Sequence, residues 1–272
     1  MGLTIPALFQ SNEHLSSFSS SERNLLFFSV LLDRDSSWHP ADGYVCSEIT
    51  GITMAEEKEY YTLTKRAFDF LAPIYNIVTL PLIGVRNQVV YLTNAPKGST
   101  ILDVATGTGQ QAFAFAKRGY DVIGVDLTKS MLDIARKHNK GGLVRFEAAD
   151  ASYLRFEANS FDVSCISFAL HDMPPKIRGK VLQEMVRVTK PNGIIVIVDY
   201  DLPRNKIGRS LIYHFITLYE GEYYKNFVAS NLDSLLRKTG ITVIERVSVL
   251  HGVGRILKGI KNREAMQAAV LA

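Results

Sequence analysis

The first residues that point to chemistry lie in a glycine-rich turn. Asp103 comes near the end of an apolar run, and Gly107 and Gly109 follow it closely. Glycine lets the backbone adopt a positive φ or approach a ligand closely. The spacing is not the G-x-G-x-x-G dinucleotide fingerprint, because Ala105 stands where the first glycine would be. A carboxylate here would repel phosphate and suits an ammonium group, although such a turn can also simply join a strand to a helix.

Two more acids end the strands that are predicted after this turn. Asp126 closes the segment Gly124-Val125-Asp126, and Asp150 follows the next strand. A carboxylate at the first position can accept hydrogen bonds from both hydroxyls of a ribose, and one at the second can accept from an adenine amino group. Each acid alone could be a helix cap or a surface charge. Three acids around one glycine turn favour a nucleoside-binding site.

His171 is a candidate general base, because histidine titrates near neutral pH. It follows the fourth predicted strand. The alternative is a structural histidine that caps the next helix or bonds Asp172. No second histidine stands at ligand spacing, so we expect no metal site.

The elements that must position these residues follow from hydrophobic periodicity. From Thr100 onward, short apolar runs alternate with helical segments, which predicts a parallel sheet with right-handed crossovers. The predicted strands are 101–105, 121–126, 143–148, 161–168, 194–198 and an antiparallel pair at 241–250 and 253–257. The predicted helices are 110–118, 129–138, 176–188 and 231–238. Ligands bind beyond the carboxyl ends of such strands, which is where the three acids stand.

Composition excludes several classes of protein. Of 272 residues, 47% are hydrophobic and 21% are charged, which is unlike collagen-like, disordered or disulfide-scaffold chains. The two cysteines, Cys46 and Cys165, favour a reducing, cytoplasmic location. The net charge of +4 is too weak to favour nucleic acid as a partner.

The charge is divided unevenly along the chain. Residues 1–53 carry a net charge of −4, and the remainder carries +8. The early segment also holds a serine-rich stretch, and its apolar run at 25–32 is shorter than the roughly 20 residues that span a bilayer. We expect residues 1–53 to be a poorly ordered extension, and a sharper hypothesis is that they are non-native and that Met54 is the natural start. Residues 54–263 would form one domain, and 264–272 a tail.

These motifs resemble those of class I S-adenosylmethionine-dependent methyltransferases. Residues 102–109, the lead-in at 68–86 and the stretch 184–193 are similar to the ubiquinone/menaquinone biosynthesis C-methyltransferase group. The resemblance covers about residues 60–258. It implies a Rossmann-like α/β fold with a mostly parallel seven-stranded sheet, helices on both faces and an antiparallel last strand. It also implies S-adenosylmethionine as the cofactor and methyl transfer to carbon or oxygen of a small lipophilic or aromatic acceptor.

The resemblance assigns cofactor roles to positions of this chain. It places Asp103 near the methionine ammonium, Asp126 at the ribose and Asp150 at the adenine amino group. Phe168 would lie close to the sulfonium. The predicted cofactor-binding residues are Asp103, Ala105, Thr106, Gly107, Gly109, Asp126, Leu127, Met131, Asp150, Ala151 and Phe168.

The acceptor side departs from the family pattern. After Phe168 the quinone group commonly has Gly-Leu-Arg-Asn-Val, whereas this chain has Ala-Leu-His-Asp-Met at 169–173. The departure puts a quinone precursor in doubt as the acceptor. We predict that His171 contacts the substrate and acts as a catalytic base.

Two aromatic segments flank the predicted acceptor side, a helical lid at 54–98 and an insertion at 202–228. They favour an apolar or aromatic acceptor, with Tyr75 and Tyr219 as pocket residues. Ordinary core packing or a dimer face is the alternative, and the chain could be a monomer or a homodimer.

Basic residues cluster at 204–209 and 255–263 and could contact anionic lipid headgroups, which would make the protein peripheral to a membrane. A solvated surface is the simpler interpretation. Two other functions stay open: a non-catalytic regulator or partner subunit that binds S-adenosylmethionine, and an NAD-dependent oxidoreductase.

Overall fold

Strands and helices alternate along the chain as the periodicity predicts. The structure, a computed structural model, describes residues 54–203, 205–219 and 222–261, so the expectations for 1–53 and 264–272 lie outside the described residues. The strands are β1 (Thr100–Val104), β2 (Asp121–Asp126), β3 (Val144–Ala148), β4 (Phe161–Ser167), β5 (Thr189–Tyr200), β6 (Ile241–Val249) and β7 (Gly254–Lys261). The helices are α1 (Met54–Val78), α2 (Ile83–Thr93), α3 (Gln110–Ala116), α4 (Lys129–His138), α5 (Pro175–Val188), α6 (Lys206–Tyr219), α7 (Glu222–Ala229) and α8 (Leu232–Lys238).

The seven strands form one sheet in the order β3-β2-β1-β4-β5-β7-β6. Neighbours from β3 to β5 are parallel, whereas β7 runs antiparallel to both β5 and β6. This confirms the predicted sheet and its antiparallel last strand. The chain order reverses between β1 and β4, and in such sheets the ligand crevice opens at that point, beyond the carboxyl ends of the strands.

The sheet is buried on both faces. Along β1 the side chains alternate, so that Ile101 packs into one hydrophobic cluster and Leu102 into the other, and both are fully buried. Helix α5 contributes Leu182 and Met185 to the cluster of Leu102, and α2 contributes Val89 to that of Ile101. A strand covered on both faces reads as a continuous apolar run, which is why the sequence locates these strands well.

Strand β5 is longer than predicted. The segment Lys190-Pro191-Asn192-Gly193 was expected to separate α5 from a strand beginning at Ile194. Instead β5 begins at Thr189, because Thr189 pairs with Phe161 and Ile194 pairs with Val163, and the residues between them bulge out of the register. Pairing resumes after a bulge, so the turn-forming residues at 190–193 lie within the strand and do not mark where it begins.

The two N-terminal helices are joined by a short turn at Leu80–Leu82. Helix α1 packs against α4, and α2 packs against α3 and β5. Among the described residues no single helix has the length and hydropathy to cross a membrane. One bent pair, Glu56–Val78 with Leu80–Thr93 at an angle of 59°, meets those criteria of length and composition when taken together.

Candidate active site

The loop after β1 is built around two glycines that are needed for different reasons. Gly109 has φ +79°, and a Cβ there would lie 2.6 Å from Cζ of Phe146. The absence of a side chain at Gly109 therefore lets the loop pack on β3. Gly107 has φ +54°, and a Cβ there would meet only Cε1 of Tyr75, at 3.7 Å. Gly107 thus leaves space on the side of the loop that faces Tyr75.

Asp126 ties this loop to the end of β2. Its Oδ2 accepts a hydrogen bond from the backbone N–H of Gly107 at 2.7 Å, and its Oδ1 accepts one from that of Thr128 at 2.8 Å. Burial raises the pKa of Asp126, and these backbone donors oppose the rise. The carboxyl group is therefore fixed at the strand end, where it lines a cavity.

The first of two adjoining cavities, called the larger cavity below, has a volume of about 760 Å³ when the space open to solvent is included. Helix α1 forms one wall, and the loops after β1, β2, β3 and β4 together with α5 form the other. The predicted site residues that line it are Tyr75, Ala105, Gly107, Asp126, Leu127, Met131, Asp150, Ala151 and Phe168. The carboxyl ends of four strands therefore converge on one cavity.

Two tyrosines of α1 close the end of the larger cavity near Asp150. The hydroxyl of Tyr61 lies 3.0 Å from Oγ of Ser152, and the backbone N–H of Ser152 donates to Asp150 at 2.8 Å. Burial, more than any neighbouring group, raises the pKa of Tyr61 to about 12. Tyr60 and Tyr61 both line the cavity. Neither tyrosine was among the predicted site residues, because helical periodicity alone does not show which strand end a helix covers.

A second cavity of about 500 Å³ adjoins the first. Tyr75, Gly107 and Phe168 line both, whereas Asp103 and Thr106 line only the second. Burial raises the pKa of Asp103 to about 7, although the Thr106 hydroxyl donates to its carboxylate at 2.5 Å.

A positively charged side chain also lines the second cavity. Arg86 of α2 lines it together with Asp103. Burial lowers the pKa of Arg86, and the nearby Asp103 opposes that change. Arg86 was not among the predicted site residues, although it lies in the lead-in segment that is similar to the ubiquinone/menaquinone biosynthesis C-methyltransferases. One carboxyl group and one guanidinium therefore face the same small space.

The loop after β4 is held from behind by Asp199 of β5. The Asp199 Oδ2 accepts hydrogen bonds from the backbone N–H groups of Leu170 at 3.0 Å and His171 at 3.2 Å. Its Oδ1 lies 2.7 Å from Nδ1 of His171. Phe168 has a φ of +50°, and its N–H donates to the Val198 carbonyl at 2.7 Å. These contacts fix the strained backbone where Phe168 enters both cavities.

His171 lies behind this loop. Its side chain is 4% exposed and lines neither of the two cavities. The rings of Tyr200, Tyr224 and Phe227 surround it, with Tyr200 centred 4.7 Å away. Contact with the acceptor and a catalytic role stay predictions for His171, and the geometry shows a group that holds a loop.

The other predicted residues fall in three places. Gly109 packs on Phe146 and lines neither cavity. Tyr219 belongs to α6, and its side chain lies outside the described residues. The second basic cluster was wrongly expected to form one exposed surface, because Lys261 is 3% exposed and its ammonium donates to Asn159 and to the Thr189 carbonyl.

Comparison with known proteins agrees with this geometry. A family profile described as a methyltransferase domain matches residues 101–193. The demethylmenaquinone methyltransferase of Paenarthrobacter aurescens strain TC1 is 36% identical, over 55% of this chain and 59% of that protein. The corresponding enzyme of Clavibacter sepedonicus is 32% identical, over 60% of this chain and 74% of that protein. This chain thus spans less than two thirds of the first relative and about three quarters of the second.

A solved structure gives the same fold. The crystal structure of a SAM-dependent methyltransferase from Aquifex aeolicus has a TM-score of 0.51 and 23% identity, and the match covers 65% of this chain and 89% of that chain. Likeness at that identity shows the fold alone. Together with the sequence relatives, it establishes that the chain belongs to the class I S-adenosylmethionine-dependent methyltransferases, in the ubiquinone/menaquinone biosynthesis C-methyltransferase group.

Proposed function

We propose that this protein transfers a methyl group from S-adenosylmethionine to carbon or oxygen of a small lipophilic or aromatic acceptor. The observation that carries the proposal is the pair of adjoining cavities at the carboxyl ends of β1, β2, β3 and β4. S-adenosylmethionine, when bound, supplies a methyl group activated by a positively charged sulfur. The protein then has to position the two reactants and exclude water.

The larger cavity fits the adenosine part of this cofactor. Asp126 and Asp150 offer carboxylate oxygens, which accept hydrogen bonds from hydroxyl and amino groups. Leu127 and Met131 line the same cavity and offer apolar surface for a flat ring. We assign the ribose hydroxyls to Asp126 and the adenine amino group to Asp150.

The second cavity fits the amino-acid part. An ammonium and a carboxylate are the two charged groups of methionine, and Asp103 and Arg86 offer the complementary charges in one space. A buried charge is stable only when it is paired. We therefore propose that Asp103 holds the ammonium and Arg86 holds the carboxylate. The residues shared by both cavities, Gly107 among them, would then lie where the two parts of the cofactor meet.

The acceptor side is built from aromatic groups. Tyr75 and Phe168 line both cavities, and Phe68 packs edge-on against Tyr75 with ring centroids 6.3 Å apart. Such rings favour a flat, apolar acceptor. The relatives are named for demethylmenaquinone, so we propose a ring carbon of a lipophilic quinol as the first acceptor to test. Peripheral contact with a membrane would follow from such an acceptor.

His171 and Asp199 act on this side as positioning residues in our proposal. Asp199 holds the backbone of Leu170 and His171, and helix α7 packs against the turn Leu170–Asp172. The dyad would keep Phe168 and Ala169 in place beside the acceptor.

The test is a binding and turnover experiment on the full chain. S-adenosylhomocysteine at about 100 times its Kd should raise the free energy of unfolding by about 2.7 kcal/mol. Asp126→Ala should largely abolish this stabilisation. The matched control is Asp121→Ala, an exposed aspartate at the other end of β2, which should keep it. Incubation with S-adenosylmethionine and demethylmenaquinone that has been chemically reduced to its quinol should then replace a ring hydrogen by methyl and add one methylene mass to the acceptor.

The outcomes separate the competing functions. Binding without a methylated product from any acceptor would favour a regulator or partner subunit. Stabilisation by NAD, with none from S-adenosylhomocysteine, would favour an oxidoreductase and overturn the proposal.

A further inference from the structure

The outer side of α1 and α2 exposes apolar side chains. Of the eleven large apolar or aromatic side chains that are exposed in the described ranges, seven lie between residues 70 and 91. Phe70 is 64% exposed and Ile77 is 69% exposed. We call the following six residues the apolar face: Phe70, Ile74, Ile77, Val78, Leu80 and Ile83. A concentration of this kind marks an interaction surface more often than isolated exposed side chains do.

The apolar face belongs to helices that are anchored on their other side. Ala72, Val85 and Val89 are buried against the domain. On α1 the exposed residues Phe70, Ile74 and Ile77 recur at helical spacing and therefore form one stripe. The stripe points away from the core while the opposite side of the same helices packs into it.

The apolar face adjoins the two cavities. Tyr75, next to Ile74 in the chain, lines both cavities, and Leu82 and Arg86 of the following segment line the second. A partner bound to this face would therefore lie beside the walls through which an acceptor has to pass. A lipophilic acceptor resides in membranes, so this step of the argument rests on the proposed function.

The charge around the apolar face favours an anionic partner. Next to Phe70, α1 carries the exposed Lys65 and Arg66 and one acidic side chain, Asp69, whereas the other acids of this helix, Glu56, Glu57 and Glu59, lie at its far end. Asp69 accepts a hydrogen bond from the hydroxyl of Ser130. Lys65 on α1 and Lys129, next to Ser130, are exposed. Two copies of this chain packed through this face would bring like charges together. Anionic lipid headgroups, in contrast, attract lysines and arginines that lie close to the membrane surface.

We propose that the apolar face docks on the surface of an anionic lipid bilayer. Its aliphatic side chains would lie at the boundary between headgroups and acyl chains, as in interfacial amphipathic helices. The nearby lysines would contact the headgroups. This arrangement brings the acceptor side of the cavities to the lipid from which a lipophilic acceptor is drawn.

The experiment measures vesicle binding by the full chain without cofactor or acceptor. Co-sedimentation with phosphatidylcholine vesicles that contain phosphatidylglycerol should show binding, and binding should weaken in high salt. The double variant Ile77→Ser, Leu80→Ser should bind about tenfold more weakly or worse, because each buried methylene contributes to interfacial affinity. The matched control is Leu211→Ser, Ile244→Ser, whose side chains are 67% and 54% exposed on α6 and β6. The control should bind as the unmodified chain does.

Each other result overturns the proposal. The face is not a lipid surface if the unmodified chain fails to bind the vesicles, or if both double variants bind equally. Light scattering without vesicles gives the second check: an unmodified dimer that the Ile77, Leu80 variant dissociates would assign the face to a second copy.

The same variants separate this inference from the proposed function. If methyl transfer is absent, vesicle binding is still measured. If methyl transfer is present, the Ile77, Leu80 variant should retain turnover of a water-soluble acceptor analogue and lose turnover of an acceptor presented in vesicles.

Discussion

The proposed cofactor side and the proposed acceptor side of this molecule are built differently. Asp103, Asp126 and Asp150 stand at or beside strand ends or in the loops that follow them, and they are held by backbone N–H groups and nearby hydroxyls. The acceptor side consists of helices and of a loop held from behind by one buried carboxylate. The first side is therefore fixed by the sheet, whereas the second depends on side-chain contacts among helices and one loop.

The largest effect is expected at Gly109. Gly109→Ala adds a Cβ at 2.6 Å from Phe146 and also forces alanine into φ +79°. The conformational cost alone is about 1–2 kcal/mol, and overpacking adds about 1–3 kcal/mol. Chemical denaturation should show the sum as lost stability.

The matched control for this prediction is Gly98→Ala. Gly98 has the same φ of +79° and nothing within 4 Å of its would-be Cβ. Gly98→Ala should therefore lower the free energy of unfolding only by the conformational cost of a positive φ. Equal losses in both variants would show that Phe146 yields and that the cofactor loop is less tightly built than we describe.

The second effect is expected on the acceptor side. Asp199→Asn replaces one acceptor oxygen by a donor that faces N–H groups, so stability should fall by about 1–3 kcal/mol. Because the change lies behind Phe168, kcat should fall by a larger factor than the Kd of S-adenosylhomocysteine rises. An equal loss of cofactor affinity would show that the two sides are coupled.

The sequence predicts the residues at the strand ends better than those on the helices and the loop after β4. Buried parallel strands give continuous apolar runs, and their ends are marked by Asp126 and Asp150, so residues that line the larger cavity could be located from residue types. Arg86 could not be located, because it comes to line the cavity of Asp103 only through the packing of α2. His171 was predicted from its chemistry, yet chemistry alone does not show that Asp199 on β5 holds its ring behind the loop.

The third effect tests the charge pair of the second cavity. Arg86→Gln removes the guanidinium and leaves Asp103 as the charged group there. We expect the Kd of S-adenosylmethionine to rise about tenfold, which corresponds to about 1.4 kcal/mol. Calorimetric titration with adenosine should show unchanged affinity, because adenosine lacks the amino acid. If the affinities for S-adenosylmethionine and adenosine fell equally, Arg86 would not act through the amino-acid part of the cofactor.

The last prediction is a pH dependence that belongs to Asp103. Its pKa is about 7 in the folded protein, against 3.8 for an unperturbed side chain, because it is buried. Between about pH 4 and pH 7 the unfolded chain gives up this proton first, so stability falls as pH rises through that window. Asp103→Asn should flatten the decline, and the exposed control Asp121→Asn should not. Saturating S-adenosylhomocysteine should flatten it too, because its ammonium would favour the ionised carboxylate. A decline that persists in Asp103→Asn would belong to another buried acid, and Asp126, whose pKa burial also raises, would be the next to substitute.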